Sequence, residues 1–256
     1  MAVAISWSAY FVSLLKNFYI FIPNYFLKPF NFPAFLIVIS ITFLLILGIK
    51  ESAKFNNFLV ILKVLILLFF IFVGIFHIKL QNYQPFMPNG FSGILTGAGL
   101  IFFAYIGFDA ISTLSEETKN PKKHLPISII LSLLISTVIY ISIAFILTGI
   151  SNYKSLNIPD PLSKALNDIN LNWASSILAI GALISTTTVL LTFQAGQPRI
   201  FFAMSRDRFI PKFFSYIHPK FKTPFISIII CGLIVGIFSA ISDISVVAEL
   251  TNIGTL

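Results

Sequence analysis

The chain has 256 residues, 57% of them hydrophobic and only 10% charged, with a mean hydropathy of +0.95. A soluble globular domain has about a quarter of its residues charged, so composition alone excludes one. The net charge of +8 (17 Lys+Arg against 9 Asp+Glu) is read as loops facing an anionic membrane surface rather than as a nucleic-acid interface. The single Cys231 excludes an intrachain disulfide framework.

A helical span needs about 20 apolar residues. Residues 1–15 are apolar but short, and they lack a basic start and a cleavage site. They read as the second half of a membrane helix. Spans are then predicted at 33–49, 58–78, 91–115, 126–150, 173–198 and 223–242, followed by a partial span at 244–256. Run length and internal glycines exclude a transmembrane barrel, whose strands alternate over about ten residues. The fold class expected is therefore an all-α integral membrane protein with a single transmembrane domain, 1–256. The loops at 50–57, 116–125 and 199–222 carry 11 basic residues and the alternate loops carry 5. That asymmetry predicts that the first set faces the cytoplasm.

An ionisable side chain inside a span costs about 2.5–3.5 kcal/mol on insertion scales and is a functional candidate by default. Lys63 lies five residues into the 58–78 span, roughly 8 Å deep at about 1.5 Å per residue. It is either a lysine snorkelling to the headgroups or a buried cation serving an ion site. Asp109 follows Gly107 in a region that also contains Gly93, Gly97 and Gly99. These glycines suit either close helix packing or a discontinuous helix whose freed backbone groups line a cavity. Ser185, Thr186, Thr187 and Thr188 lie mid-span. Such hydroxyls either bond back to their own helix or receive a cation or a lysine. Pro126 suits the first turn of a helix, and Pro198 is expected to bend the end of the 173–198 helix.

These residues resemble a known family. Phe103-Ala104-Tyr105-Ile106-Gly107-Phe108-Asp109-Ala110 and then Glu116-Glu117-Thr118-Lys119-Asn120-Pro121 are similar to the sixth helix and following loop of amino acid permeases. Those belong to the amino acid–polyamine–organocation superfamily, and the match is nearest its cationic amino acid transporter branch. Gly48-Ile49-Lys50-Glu51-Ser52-Ala53, the stretch from Gly196 to Asp207, His218-Pro219-Lys220-Phe221-Lys222-Thr223-Pro224 and residues 247–256 agree in order and spacing.

The resemblance implies a five-plus-five inverted repeat, with helices one and six broken around an amino acid. By position, Phe103 resembles an aromatic gate, and Ala104, Ile106 and Gly107 resemble the unwound backbone that binds substrate. Asp109 resembles a proton-sensing acid. Lys63 resembles a lysine that stands in the place of a sodium ion, and Thr187 and Thr188 resemble hydroxyls near that place. The resemblance starts within the family's third helix and stops within its tenth, so the chain is expected to be truncated at both ends. Ser6 and Ala9 replace glycines of the family pattern.

The implied function is a permease in the plasma (inner) membrane, coupled to protons and working by alternating access. The implied partners are an amino acid, protons and the lipid bilayer, with no nucleic acid, no cofactor and no metal. The alternative is a non-transporting remnant, or half of a split permease needing a chain that supplies the missing helices. An intramembrane enzyme is not expected, because no span interior holds a histidine to pair with a nucleophile.

Overall fold

The computed structural model describes residues 1–48, 53–107 and 120–255. Among the described residues nine α-helices run in order: α1 (Ala2–Asn17), α2 (Phe32–Ile46), α3 (Ala53–Ile75), α4 (Gly90–Ile101), α5 (Pro121–Ile150), α6 (Pro161–Asp168), α7 (Asn172–Arg206), α8 (Phe225–Ile241) and α9 (Ile244–Thr255). No strand occurs among the described residues. Among the described residues three stretches are long and apolar enough to cross a membrane: Asn57–Ile75, Pro121–Ile150 and Asn172–Arg206. Shorter apolar helices cover Phe32–Ile46, Gly90–Tyr105, Phe225–Ile241 and Ile244–Gly254. Together they make an all-α membrane protein. Ile127, Leu131, Leu134, Val138 and Ile141 of α5 are exposed, a surface that suits hydrocarbon and not water.

The contacts fall into two units. The first contains Met1–Ile66 and Ile158–Ile244, and the second Leu67–Asn157 and Ser245–Leu256. In the first unit, Ala4 of α1, Ala34, Val38 and Ile41 of α2, Leu190 of α7 and Val235 of α8 form one buried cluster. Small residues bring these helices close. A Cβ on Gly232 of α8 would lie 2.9 Å from the Cβ of Thr42, so α2 and α8 touch backbone to side chain. The entry to α2 is fixed by Asn31. Its Oδ1 caps the helix at the Ala34 N–H (3.2 Å) and also accepts the Ser8 hydroxyl (2.6 Å), while its backbone N–H donates to the Ala240 carbonyl (2.8 Å).

Two prolines lie inside helices, and Pro126 there departs from the first-turn position expected of it. α5 begins at Pro121, which takes the first-turn position, so Pro126 lies inside the helix. α7 continues through the buried Pro198 to Arg206. One proline removes a single ladder bond, and neighbouring bonds hold these long helices together. The amphipathic α6 was not anticipated, although Asp160-Pro161 is a helix-start signal.

Asp160 precedes α6 but makes no side-chain cap. Its carboxylate instead accepts a hydrogen bond from Ser13 of α1. Burial pushes its pKa up to about 6, against the opposing pull of the Ser13 bond, Lys16 and Lys164. The folded chain thus holds this proton more tightly than the unfolded one. The resulting stabilisation is fully present below about pH 4 and is lost as pH rises through about 6. Thermal melts between pH 4 and 7 are expected to fall by about 1–3 kcal/mol equivalent, and Asp160→Asn to flatten that slope.

In the second unit, the α5 C-terminus is capped from the preceding loop. Asn82 donates to the Gly149 and Ile150 carbonyls (2.7 and 3.1 Å), the Lys79 N–H donates to Gly149 (3.0 Å), and the Tyr83 hydroxyl donates to Phe145 (2.9 Å). The Asn82 and Lys79 bonds satisfy carbonyls that a helix end leaves without partners, and the Tyr83 bond adds a further donor to a carbonyl one turn earlier.

Candidate functional site

Within the first unit, α3 and α7 bring Lys63 and Thr188 together: the Lys63 ammonium donates to the Thr188 hydroxyl oxygen. Thr188 is buried and Lys63 half-buried. The Thr188 proton goes to the Ser185 carbonyl (2.8 Å), so its oxygen is left to accept. Thr187 repeats the arrangement one residue earlier. Its proton goes to the Leu183 carbonyl (2.7 Å), and its oxygen accepts the indole N–H of Trp7 from α1 (2.9 Å). The two readings of these hydroxyls are therefore not exclusive: each bonds back to its own helix and also receives a donor from another. Trp7 was not among the sequence candidates. An indole at a helix–helix contact facing a Ser/Thr run was the only available signal.

Within the second unit, the α4 helix stops at Ile101. A 3₁₀ turn follows over Phe102–Tyr105, then Ile106 turns extended (ψ 130°) and Gly107 takes φ 109°. Only glycine adopts that last conformation without strain. Phe103, Ala104, Ile106 and Gly107 are thus consecutive parts of one helix end. Asp109 lies outside the described residues.

Unwound backbone at membrane depth needs partners from protein. The Ala104 carbonyl accepts the Tyr140 hydroxyl (3.0 Å), and the Gly99 carbonyl accepts the Asn252 amide (3.0 Å). The Tyr105 hydroxyl lies 2.8 Å from Thr137 Oγ1, whose own proton serves the Leu133 carbonyl, so the tyrosine is the donor. Tyr105 and Tyr140 pack edge to face at 5.5 Å. These α5 and α9 side chains were invisible to sequence reasoning, because hydroxyls on an apolar helix carry no periodic signature.

The family described as amino acid permease matches residues 1–256. The chain belongs to that family. Permease membership, with its transporter relatives, sets the intramembrane-enzyme reading aside. The chain is 44% identical over 266 residues to the branched-chain amino acid permease BcaP of Bacillus subtilis (strain 168), covering 100% of this chain and 57% of the relative. It is 43% identical to the methylthioribose transporter of the same organism, with 100% and 57% covered. It is 33% identical to cationic amino acid transporter 1 of Arabidopsis thaliana, with 100% and 44% covered. This permease-family chain therefore spans about half the length of the relatives it matches.

Proposed function

We propose that the chain acts in transmembrane transport of amino acids, coupled to protons and working by alternating access. The observation that carries this reading is the Lys63–Thr188 hydrogen bond between α3 and α7. A lysine ammonium so held is a fixed positive charge inside a span, where the desolvation cost argues against an idle residue. In this reading it fills the place that a transported cation takes in sodium-coupled relatives. The helix end at Phe103–Gly107 supplies the substrate-facing backbone, with Phe103 as the gate and Ala104, Ile106 and Gly107 as the binding groups. Asp109 is the group that responds to protonation. Thr187 supports the α1–α7 contact beside Thr188. The membrane is the plasma (inner) membrane.

Uptake of radiolabelled amino acids into proteoliposomes under an inward proton gradient tests the reading. Accumulation that collapses when the gradient is dissipated is expected. Accumulation indifferent to the gradient removes the proton coupling, and no uptake by the chain alone or with a chain supplying further helices removes the transport reading. The aliphatic and cationic substrates named for relatives make leucine and arginine the first probes.

Tyr140 offers a finer test. Tyr140→Phe removes one hydroxyl and leaves the Ala104 carbonyl without its donor. A hydrogen bond at an exposed site is worth about 0.5–1.5 kcal/mol net. The KM for uptake is expected to rise severalfold with little change in maximal rate, read from initial-rate uptake curves.

A further inference from the structure

A second polar cavity lies in the first unit, away from the Lys63–Thr188 pair. It has a volume of about 490 Å³ and sits between α1, the segment before α2 and the segment leading into α6. The distribution of basic loops places this end of α1 outside. Its charged lining consists of Lys16, Lys28, Lys164 and Asp160. Lys16 and Lys28 are exposed, and among the described residues no ion pair engages the Lys28 side chain. Lys164 reaches Asp168 at 3.4 Å.

The walls are held rigidly. Ser6 donates to the Pro159 carbonyl (2.9 Å), Ser13 to the Asp160 carboxylate, and Asn17 to Ser175 and Ser176 (3.3 and 3.1 Å). Two asparagines also line it. Asn31 has its oxygen taken by Ser8 and the α2 N-terminus, leaving its amide N–H groups as donors. The Asn167 Oδ1 is buried without a hydrogen-bond partner. A buried acceptor left unserved is costly, and a ligand ammonium would serve it.

We propose that this cavity is an outer-face subsite for a free α-amino acid, with Lys16, Lys28 and the Asn31 amide taking its carboxylate and Asp160 and Asn167 taking its ammonium. Lys16 and Lys28 offer ammonium groups to an anion, and the partnerless Asn167 Oδ1 with the Asp160 carboxylate offers acceptors to a cation. A zwitterion supplies both. Ile5, Ala9, Val12, Leu27 and Ile158 line the rest and accept an aliphatic side chain. The volume lies within the range of about 300–1,000 Å³ usual for small-ligand sites. This inference rests on the transport reading for its choice of ligand, but its site is separate. Asp160 makes no side-chain helix cap, and its carboxylate lines the cavity beside Ser13.

The test is lysine acetylation of the chain in nanodiscs, read by mass spectrometry, with and without saturating leucine. Leucine is expected to protect Lys16 and Lys28 severalfold while leaving the exposed outer-loop Lys79 and Lys154 unchanged. Lys16→Gln with Lys28→Gln, both at exposed positions, is expected to weaken leucine binding by about tenfold or more, as loss of charge-assisted hydrogen bonds does. Equal labelling with and without leucine overturns the subsite, even if uptake proceeds normally. Protection by anionic phospholipid in the nanodisc without leucine also overturns it, assigning the lysines to headgroups. Protection without any gradient-driven uptake upholds the subsite and overturns the transport reading instead.

Discussion

Lys63→Ala is expected to abolish proton-coupled uptake in proteoliposomes while leaving the helices assembled. The ammonium is the donor that α3 sends to α7, and Thr188 is prepared as an acceptor because its own proton is committed to Ser185. Truncation removes the fixed charge and leaves the Thr188 oxygen without that donor. A hydrogen bond to a charged group is worth about 1.5–3 kcal/mol, so a loss of roughly tenfold or more in affinity is the least expected. Loss of coupling is the larger effect, because among the described residues no other cation donates to Thr188.

Two companions separate charge from packing. Lys63→Met keeps the stem and removes the charge, and is expected to match alanine in coupling but not in stability. Thr188→Val keeps the volume and the charge, and is expected to retain part of the uptake with an altered pH profile. Uptake by Lys63→Ala that keeps its pH dependence would overturn the coupling role.

Gly232→Leu is expected to prevent α2 and α8 from packing. A Cβ at this position meets the Thr42 side chain at its Oγ1, Cγ2 and Cβ. Thr42 has nowhere to move. Its hydroxyl donates to the Val38 carbonyl (2.8 Å) and accepts Gln194 from α7 (3.3 Å), and a β-branched side chain in a helix has few rotamers. Forcing the helices apart opens the cluster of Ala34, Val38, Ile41 and Val235. Overpacking costs about 1–3 kcal/mol even where neighbours adjust, and here the upper end or more is expected. Folded yield by size-exclusion chromatography and the midpoint of thermal unfolding read the effect. Gly254→Ala, where an added Cβ meets nothing within 4 Å, is expected to leave both unchanged.

The match between sequence and structure differs by residue type. Apolar run length placed the long helices, because a backbone in hydrocarbon must satisfy itself and helix is the available way. The interruption after Ile101 was foreshadowed by Gly107, since no other residue rests at its φ. Lys63 stood out because a lone cation in a span is costly. Its partner was narrowed to a Ser/Thr run, but only the packing of α3 against α7 selected Thr188 over Thr187. Pro126 misled, because Pro121 already takes the first-turn position of α5 and one missing donor does not end a helix of that length.

Sequence alone determined that this is an all-α membrane protein, and it singled out Lys63 and the Phe103–Gly107 segment as chemically unusual. Composition and local glycine chemistry suffice for those, because each depends on the solvent or on one residue's own backbone. Tertiary structure decided which hydroxyl receives the ammonium, that Tyr140 and Asn252 serve the carbonyls around the helix end, and that Asp160 turns from its helix toward Ser13 and a charged cavity. Those are contacts between residues far apart in the chain, and they follow from how the helices pack rather than from any residue's neighbours.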